Sequence, residues 1–213
     1  MSKKINIFKI FIRNYSFISL LLLFTLSSCI ETIVISTGVS GVLAYREKTM
    51  QDTRSDIRIT SEIIYKFTIN GLKNIGNSVD ISVNEGRVML TGIIRDPQKA
   101  KLAKDLCWQV KGVAEVIDEI KIKDKAKISF HDILSALFDY AITTEIKTKF
   151  ALAKNLRSVN YQVTTVDNDV YLLGVAINET EMTRATSIAS KVRGVSKVIN
   201  YIILANDSRR GKQ

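Results

Sequence analysis

Val88-Met89-Leu90-Thr91-Gly92 returns 82 residues later as Val170-Tyr171-Leu172-Leu173-Gly174, and this repetition decides the fold. The correspondence covers residues 81–122 and 163–204, with mostly conservative substitutions between the two copies. Upstream, residues 60–67 reappear as residues 143–150 at an offset of 83, so the loop between differs by one residue. A duplicated unit that lacks a duplicated catalytic residue indicates first a binding device.

The spacing of apolar residues predicts the same order of elements in both copies: helix, strand, strand, helix, strand. Hairpin turns are predicted at residues 84–86 and 167–169, because Asn, Asp and Gly favour tight turns, and the last strands at residues 115–122 and 197–204. The first helix of each copy carries apolar residues four positions apart, which places them on one face: Ile59, Ile63 and Phe67, and then Ile142, Ile146 and Phe150.

The second helix of each copy has recognisable ends. Asp96 and Asn178 are predicted N-caps, and Pro97, the only proline, fits the first helical position. Gly112 and Gly194 are predicted to end these helices as C′ residues. The elements predict an α+β fold of two tandem domains, each a three-stranded mixed sheet covered on one face by two helices.

The start of the chain has the layout of a secretory signal peptide over residues 1–28. Basic residues precede an apolar run of about ten residues, whereas a membrane-spanning helix needs roughly 20. Leu26-Ser27-Ser28-Cys29 resembles the lipobox of bacterial lipoproteins, which makes Cys29 the predicted lipidation site. The alternatives are a plain signal peptide or a signal anchor, with Cys29 incidental. Residue 30 is Ile rather than Asp, and the resemblance then implies sorting to the outer membrane.

The repeated motif resembles a known family. The motif is a hairpin strand that ends in Gly, then a helix, and then the pattern V-x-G-V-x-x-V-x-N/D. This order is similar to the BON domain (bacterial OsmY and nodulation). With the lipobox, residues 29–205 resemble the dual-BON lipoproteins of the Gram-negative outer membrane. The resemblance implies binding of anionic phospholipid and a role in envelope integrity, without catalysis. The matching residues are Val88, Gly92, Gly112, Val113 and Val116, and Val170, Gly174, Gly194, Val195 and Val198.

These observations predict a domain organisation for the whole chain. A lipoprotein signal peptide is followed by a tether, the first BON domain, a linker, the second BON domain and a polar tail. The predicted bounds are 1–28, 29–53, 54–124, 125–134, 135–206 and 207–213.

Charge and composition restrict the classes of function. Without residues 1–28 the chain keeps 27 basic and 21 acidic residues, a net charge of +6. This balance favours anionic lipid head groups or nucleic acid, and an exported lipoprotein meets lipid, so we expect no nucleic-acid partner. The only histidine, His131, falls in the predicted linker, which argues against a nucleophile–histidine–acid site. No cysteine and histidine cluster offers metal ligands, and we predict no enzyme, metal or cofactor.

Four further residues allow two interpretations each. Cys107 aligns with Ala189 and is predicted to be a small core residue, with a free reactive thiol as the alternative. Trp108 is either exposed or in contact with the other domain. Gly92 and Gly174 either relieve crowding where a strand meets the following helix, which we favour, or permit close approach of a ligand.

The first helix of the second domain carries the candidate membrane face. Tyr and Leu side chains can enter the head-group boundary of a bilayer while lysines meet phosphate. The alternative is a partly buried Tyr140 at an edge and a solvated row of lysines. At about 100° per residue, the face opposite the apolar stripe carries Leu137, Tyr140, Thr144, Lys147, Ala151 and Lys154.

The first domain differs at three matching positions, where Ile57, Ile64 and Gly71 replace Tyr140, Lys147 and Lys154. Its first helix is therefore apolar on both faces, and we expect its second face to pack against the other domain.

The sequence thus predicts a non-enzymatic lipoprotein, anchored on the periplasmic face of the outer membrane, that binds anionic phospholipid through this helix. The alternative is an adaptor that docks an envelope protein, either an enzyme or an assembly machine, through the same helix face.

Overall fold

The computed structural model describes residues 50–72, 78–123 and 129–210. The predicted signal peptide and Cys29 lie outside these residues. The first domain contains helix α1 (Met50–Ile69), strands β1 (Ser78–Asn84) and β2 (Arg87–Ile94), helix α2 (Pro97–Trp108) and strand β3 (Glu115–Ile122). The second repeats this order with α3 (Phe130–Leu152), β4 (Tyr161–Val166), β5 (Asp169–Ala176), α4 (Glu179–Ser190) and β6 (Lys197–Leu204), after a 3₁₀ turn at Ser158–Asn160.

The two sheets have the same topology, which confirms the predicted α+β fold. In each sheet the first two strands form an antiparallel hairpin, and the last strand pairs in parallel with the middle one. The strand orders are β1-β2-β3 and β4-β5-β6. A parallel partner needs a crossover, and helices α2 and α4 supply it.

Each domain has its own core between its two helices and one face of its sheet. The predicted apolar stripe of α1 is fully buried there, and the stripe of α3 is at most 6% exposed. Alternate residues of the middle strands, such as Val88 and Leu90 or Val170 and Leu172, complete these cores. This arrangement confirms that two helices cover one face of each sheet.

The helix starts follow the predicted chemistry, but the helix ends do not. Asp96 accepts a hydrogen bond from the backbone N–H of Gln98, and Asn178 accepts one from that of Glu181. The prediction that Gly112 is a C′ residue was wrong, because α2 already ends at Trp108. Gly112 lies instead in a turn that the Val113 N–H closes on the Val110 carbonyl, with a φ of 91° that favours glycine. Gly194 repeats this turn in the second domain, with a φ of 93°.

A buried carboxylate fixes each hairpin turn to the first helix of its domain. Both oxygens of Asp56 accept backbone hydrogen bonds from Glu85 and Gly86, each at 2.9 Å. In the second domain, the two oxygens of Asp139 accept the matching backbone hydrogen bonds from Asp167 and Asn168, each at 2.8 Å. The four turn residues have positive φ, as a two-residue hairpin turn requires. Sequence analysis missed this pair, although the two aspartates obey the offset of 83.

A third apolar cluster joins the two domains through the faces of the sheets that the helices leave uncovered. Met89 and Ile117 of the first sheet pack with Val166, Tyr171 and Leu173 of the second. The prediction that the second face of α1 makes this contact was therefore wrong. Ile57 is 58% exposed and Ile64 is 38% exposed. The physical reason is that the sheets, with apolar residues on both faces, offer the larger apolar area.

Polar groups around this cluster form contacts that hold the two sheets in one relative position. The Lys121 ammonium donates to the carbonyl of Val166 and to the carboxylate of Asp169, at 2.9 and 2.7 Å. The Tyr201 hydroxyl donates to Glu119, and burial together with this carboxylate raises the pKa of Tyr201 to about 12. The tyrosine therefore remains a donor at physiological pH.

Two helices begin before the predicted domain bounds, and the predicted tail contacts the first domain. Helix α1 begins at Met50, inside the predicted tether, and α3 begins at Phe130, inside the predicted linker. The earlier start of α3 follows from a capping box between Ser129 and Asp132. In the predicted polar tail, Arg210 makes a bidentate ion pair with Glu85 of the first domain, at 2.8 and 2.9 Å.

Gly174 relieves crowding, but not against the following helix as expected. A Cβ on Gly174 would lie 2.3 Å from the backbone carbonyl oxygen of Asn160 and 3.1 Å from the Cα of Tyr161. Gly92 occupies the matching position of the first sheet and has a φ of 113°. Close contact with β4 and with Asn160, the residue before it, thus leaves no room for a side chain at Gly174.

We expect Gly174→Val to destabilise the second domain by at least about 1–3 kcal/mol, because backbone atoms must move to admit the side chain. Urea unfolding followed by circular dichroism measures the loss. Ala141→Val, at an exposed site of α3, is the control and should cost only the small loss of helix propensity. Equal stability of the two variants would contradict the close contact.

We expect Leu173→Ala to loosen both domains, because Leu173 belongs to the cluster between the sheets. Removing a buried leucine costs about 2–5 kcal/mol. Hydrogen exchange should show lost protection in β2 and β3 as well as in β5 and β6. Leu172→Ala is the matched control, since Leu172 faces only the core of the second domain. Identical protection patterns for the two variants would argue against a shared interface.

Candidate functional site

Helix α3 presents the predicted membrane face to solvent. All six predicted residues are exposed, with Leu137 60% and Tyr140 72% exposed. The interpretation of Tyr140 as a partly buried residue is therefore wrong. The remaining members of the face are Thr144, Lys147, Ala151 and Lys154.

Helix α3 exposes more large apolar side chains than the predicted face includes. Phe130 is 74% exposed and Leu152 is 79% exposed, at opposite ends of the helix. Phe130, Ile133 and Leu134 recur at helical spacing in the first turns of the helix, but these three residues had been assigned to the linker. The residues missed are Phe130, Ile133, Leu134, Phe138 and Leu152.

The threonines of this face add little polarity to it. The Thr144 hydroxyl donates to the backbone carbonyl of Tyr140, and the Thr148 hydroxyl donates to that of Thr144. These hydroxyls are satisfied within the helix, so their methyl groups extend the apolar surface at low desolvation cost. The face is therefore apolar along most of its length.

Positive charge is concentrated in the C-terminal half of the helix. Lys147 and Lys154 are exposed, whereas Lys149 lies 3.4 Å from Glu145 in a pair one turn apart. Helix α3 ends at Leu152, so the prediction that Lys154 lies on the helix was wrong, and this lysine stands two residues beyond the helix end. The apolar first half of the helix is thus followed by the exposed Lys147 and, after the helix, by Lys154.

Several contacts hold α3 in place. Asp139 binds the β4–β5 turn, and the hydroxyl of Thr143 donates to that of Thr165 at 2.8 Å. At the N-terminus, the capping residue Asp132 lies 3.9 Å from Arg95 of the first domain. The apolar face is therefore carried on a helix anchored to both domains.

Helix α1 exposes apolar side chains as well. Tyr65 is 65% exposed and Ile69 is 62% exposed, in addition to Ile57 and Ile64. The residues of α1 that match Lys147 and Lys154 are uncharged, and Arg58 is paired with Glu62 at 3.3 Å. Apolar exposure is thus common to both first helices, and the combination with lysines distinguishes α3.

A cleft of about 390 Å³ lies where α3 approaches the first domain. Tyr140 and Lys147 line it from the helix, and Gly92 and Ile93 line it from β2. Gly92 therefore borders a concave surface, so close approach of a ligand remains the alternative interpretation of this glycine.

The remaining candidates from the sequence are Cys107, Trp108 and His131. Cys107 and its counterpart Ala189 are fully buried, and burial raises the pKa of the Cys107 thiol to about 12. This agrees with a core residue, because a protonated buried thiol reacts poorly. Trp108 is 56% exposed. His131 is an exposed residue in the first turn of α3, so its assignment to the linker was wrong.

Within residues 50–72, 78–123 and 129–210, no three or more potential metal-ligating side chains form a cluster. No helix in these segments combines the length and apolar character needed to span a bilayer.

Comparison with known proteins gives relatives for most of the chain. An uncharacterized protein of Anaplasma centrale is 35% identical over 136 residues, which make up 64% of this chain and 87% of that protein. The outer membrane lipoprotein DolP of Haemophilus influenzae is 33% identical over 128 residues, 60% of this chain and 63% of its own length. This chain therefore spans somewhat less than two thirds of DolP. The osmotically-inducible protein Y of Escherichia coli is 28% identical over 195 residues, 82% of this chain and 94% of that protein.

The BON domain is found twice, at residues 55–124 and 139–206, which together exceed half of the chain. The second match begins within α3, so the apolar turns that contain Phe130, Ile133 and Leu134 precede it. With the repeated hairpin, crossover helix and parallel strand described above, the chain belongs to the BON-domain family.

Proposed function

We propose that this protein is a non-enzymatic lipoprotein of the outer membrane that binds anionic phospholipid through the exposed face of α3 and supports envelope integrity. The observation that carries the proposal is the apolar stripe on α3, a helix that is anchored to both domains, with Lys147 exposed on the helix and Lys154 exposed just beyond its end. The similarity to an outer membrane lipoprotein, DolP, supports the location.

The energetics favour insertion of the apolar stripe over purely electrostatic attachment. Full burial of one large apolar side chain contributes about 1.5–3 kcal/mol. A basic residue near an anionic surface contributes about 1 kcal/mol. With at least five large apolar side chains and two lysines on the face, the apolar contribution exceeds the electrostatic one. Lysines then select anionic surfaces, and the stripe provides most of the affinity.

An adaptor function, in which the same face docks an envelope protein, is the alternative. The breadth of the apolar stripe favours it, because exposed apolar patches also mark protein-binding surfaces. The two proposals differ in their response to lipid, since an adaptor would ignore protein-free vesicles.

We expect Tyr140→Ala and Phe138→Ala to weaken flotation of residues 45–213, a compact unit, with vesicles that contain phosphatidylglycerol. Each variant removes an exposed aromatic anchor and leaves the buried stripe intact, so stability should be unchanged. Tyr65→Ala, which removes an equally exposed tyrosine from α1, is the matched control.

Lys147→Glu should weaken flotation mainly at low salt, because screening already reduces the attraction at higher ionic strength. Lys101→Glu, at an exposed site of α2, makes the same charge change elsewhere. If the α3 variants float as well as their controls do, the membrane function fails at this face. Co-purification of a stoichiometric envelope protein that Tyr140→Ala abolishes would then favour the adaptor.

We further propose that Cys29 carries the lipid anchor, on the basis of the lipobox-like Leu26-Ser27-Ser28-Cys29. Cys29→Ser should accumulate as an unprocessed precursor without acyl chains, which intact-mass spectrometry detects. Tyr45→Ser, beyond the lipobox, should be processed like the parent. Cleavage at another position, with Cys29 unmodified, would refute this assignment.

A further inference from the structure

A second concave surface lies at the C-terminal end of α3. It has a volume of about 890 Å³, within the usual range of small-ligand sites. Residues that follow α3 form one wall, and the start of α4 with the residue before it forms the other. Lys154, Arg157, Ile177, Thr180, Glu181 and Arg184 are among the residues that line it.

Three of these side chains are cationic, and the one carboxylate among the lining residues is committed to the fold. Glu181 is only 5% exposed, and its two oxygens accept hydrogen bonds from the backbone N–H groups of Arg157 and Ile177, each at 2.8 Å. Arg184 donates to the carbonyl oxygen of Lys154, which holds the guanidinium beside that lysine. Three cations therefore converge on a cavity whose carboxylate is occupied by backbone donors.

The neighbouring tyrosine does not add negative charge. Tyr161 is 8% exposed, and both its burial and the nearby Glu181 raise its pKa. The hydroxyl remains protonated at physiological pH. With Glu181, the cavity lining therefore carries three positive charges and one negative charge, a net charge of +2.

Among the described residues of the first domain, the matching positions carry different side chains, which provides an internal comparison. Gly71 stands at the position of Lys154, and Leu102 stands at that of Arg184. Lys99, which corresponds to Glu181, reaches the carbonyl oxygen of Gly71 at 3.4 Å. The basic cavity is therefore a property of the second domain and not of the repeated fold.

We propose that this cavity binds a phosphate group, carried either by an anionic phospholipid head group or by a small soluble phosphate ester. Arginine is suited to this task because its planar donor group engages two phosphate oxygens at once. Lys154 lines the cavity and lies just beyond the C-terminal end of α3, next to the exposed face of that helix. The lipid form of the proposal rests on the proposed membrane function, whereas the soluble form does not.

Hydrogen–deuterium exchange of the full-length protein in phosphatidylcholine nanodiscs tests the proposal. Separate arms add inorganic phosphate, glycerol phosphate, or phosphatidylglycerol within the disc, each against sodium chloride at equal ionic strength. We expect slower exchange at residues 154–159 and 177–184. Protection by soluble phosphates alone identifies a soluble ligand, and protection by phosphatidylglycerol that glycerol phosphate reverses identifies a head group.

Arg184→Gln should reduce the apparent affinity for the protecting anion about tenfold, and Arg184→Lys should restore part of it by keeping the charge. Arg193→Gln removes the same charge beyond the opposite end of α4 and should have no effect. Arg157→Gln gives a second variant that leaves the Arg184–Lys154 contact intact. A melting temperature measured for each variant separates lost binding from lost folding.

Two results would overturn the proposal. One is the absence of protection by any of the three phosphate sources. The other is protection that Arg184→Gln and Arg157→Gln leave unchanged while both variants remain folded. Protection of residues 130–147 by phosphatidylglycerol without protection of the cavity would refute the cavity and retain the membrane function. Protection of the cavity by soluble phosphate, with residues 130–147 unaffected by lipid, would refute the membrane function and retain the cavity.

Discussion

The contact between the two sheets determines which surfaces of this protein are free to act. Each sheet is covered by helices on one face and by the other sheet on the second, so the middle strands β2 and β5 are buried almost throughout. Tyr171 and Leu173 on one side and Met89 on the other form the centre of this contact. With the sheet faces occupied, the outward faces of the helices remain as the large regular surfaces, and the exposed apolar residues lie mainly there.

This contact also explains why two small domains behave as one platform. A domain of about 70 residues buries a modest core and is correspondingly marginal in stability. A shared apolar cluster, the Lys121–Asp169 pair and the Arg210–Glu85 pair add interactions that neither domain can make alone. Arg95 of the first domain even approaches the N-terminal cap of α3. The orientation of the candidate membrane helix therefore depends on both copies of the repeat.

Much of the fold followed from the sequence because the repeat supplied each element twice. The helix stripes, the hairpin turns and the N-caps at Asp96 and Asn178 depend on local chemistry, which sequence records directly. The docking of the two domains was misplaced because it depends on which apolar face finds the larger complementary area. The continuous run Val170-Tyr171-Leu172-Leu173 did contain the necessary signal, since a strand buried on one face alternates apolar and polar residues.

Some features of the candidate site depend on one helix alone, whereas others depend on contacts between residues far apart in the sequence. The outward face from Leu137 to Ala151 was predictable from helical periodicity alone, because these residues lie on one helix, whereas Lys154 lies beyond the helix end. The apolar turns that begin at Phe130 were missed because they precede the region of internal similarity, where comparison of the copies gives no guidance. The cavity beneath Lys154 was invisible for a different reason, since it depends on Arg184, which another helix brings close.

Divergence of the two copies is concentrated on surfaces rather than in the cores. The buried stripes of α1 and α3 and the aspartates that hold the hairpin turns are retained, because loss of any of them costs folding free energy in a small domain. The second copy exposes Lys147, Lys154 and Arg184 where the first copy has Ile64, Gly71 and the partly buried Leu102. The first copy provides a sheet for docking, and the second adds charge beside an apolar face. A duplicated fold of this kind can acquire a specific surface in one half, because the shared interface lets the other half maintain the scaffold.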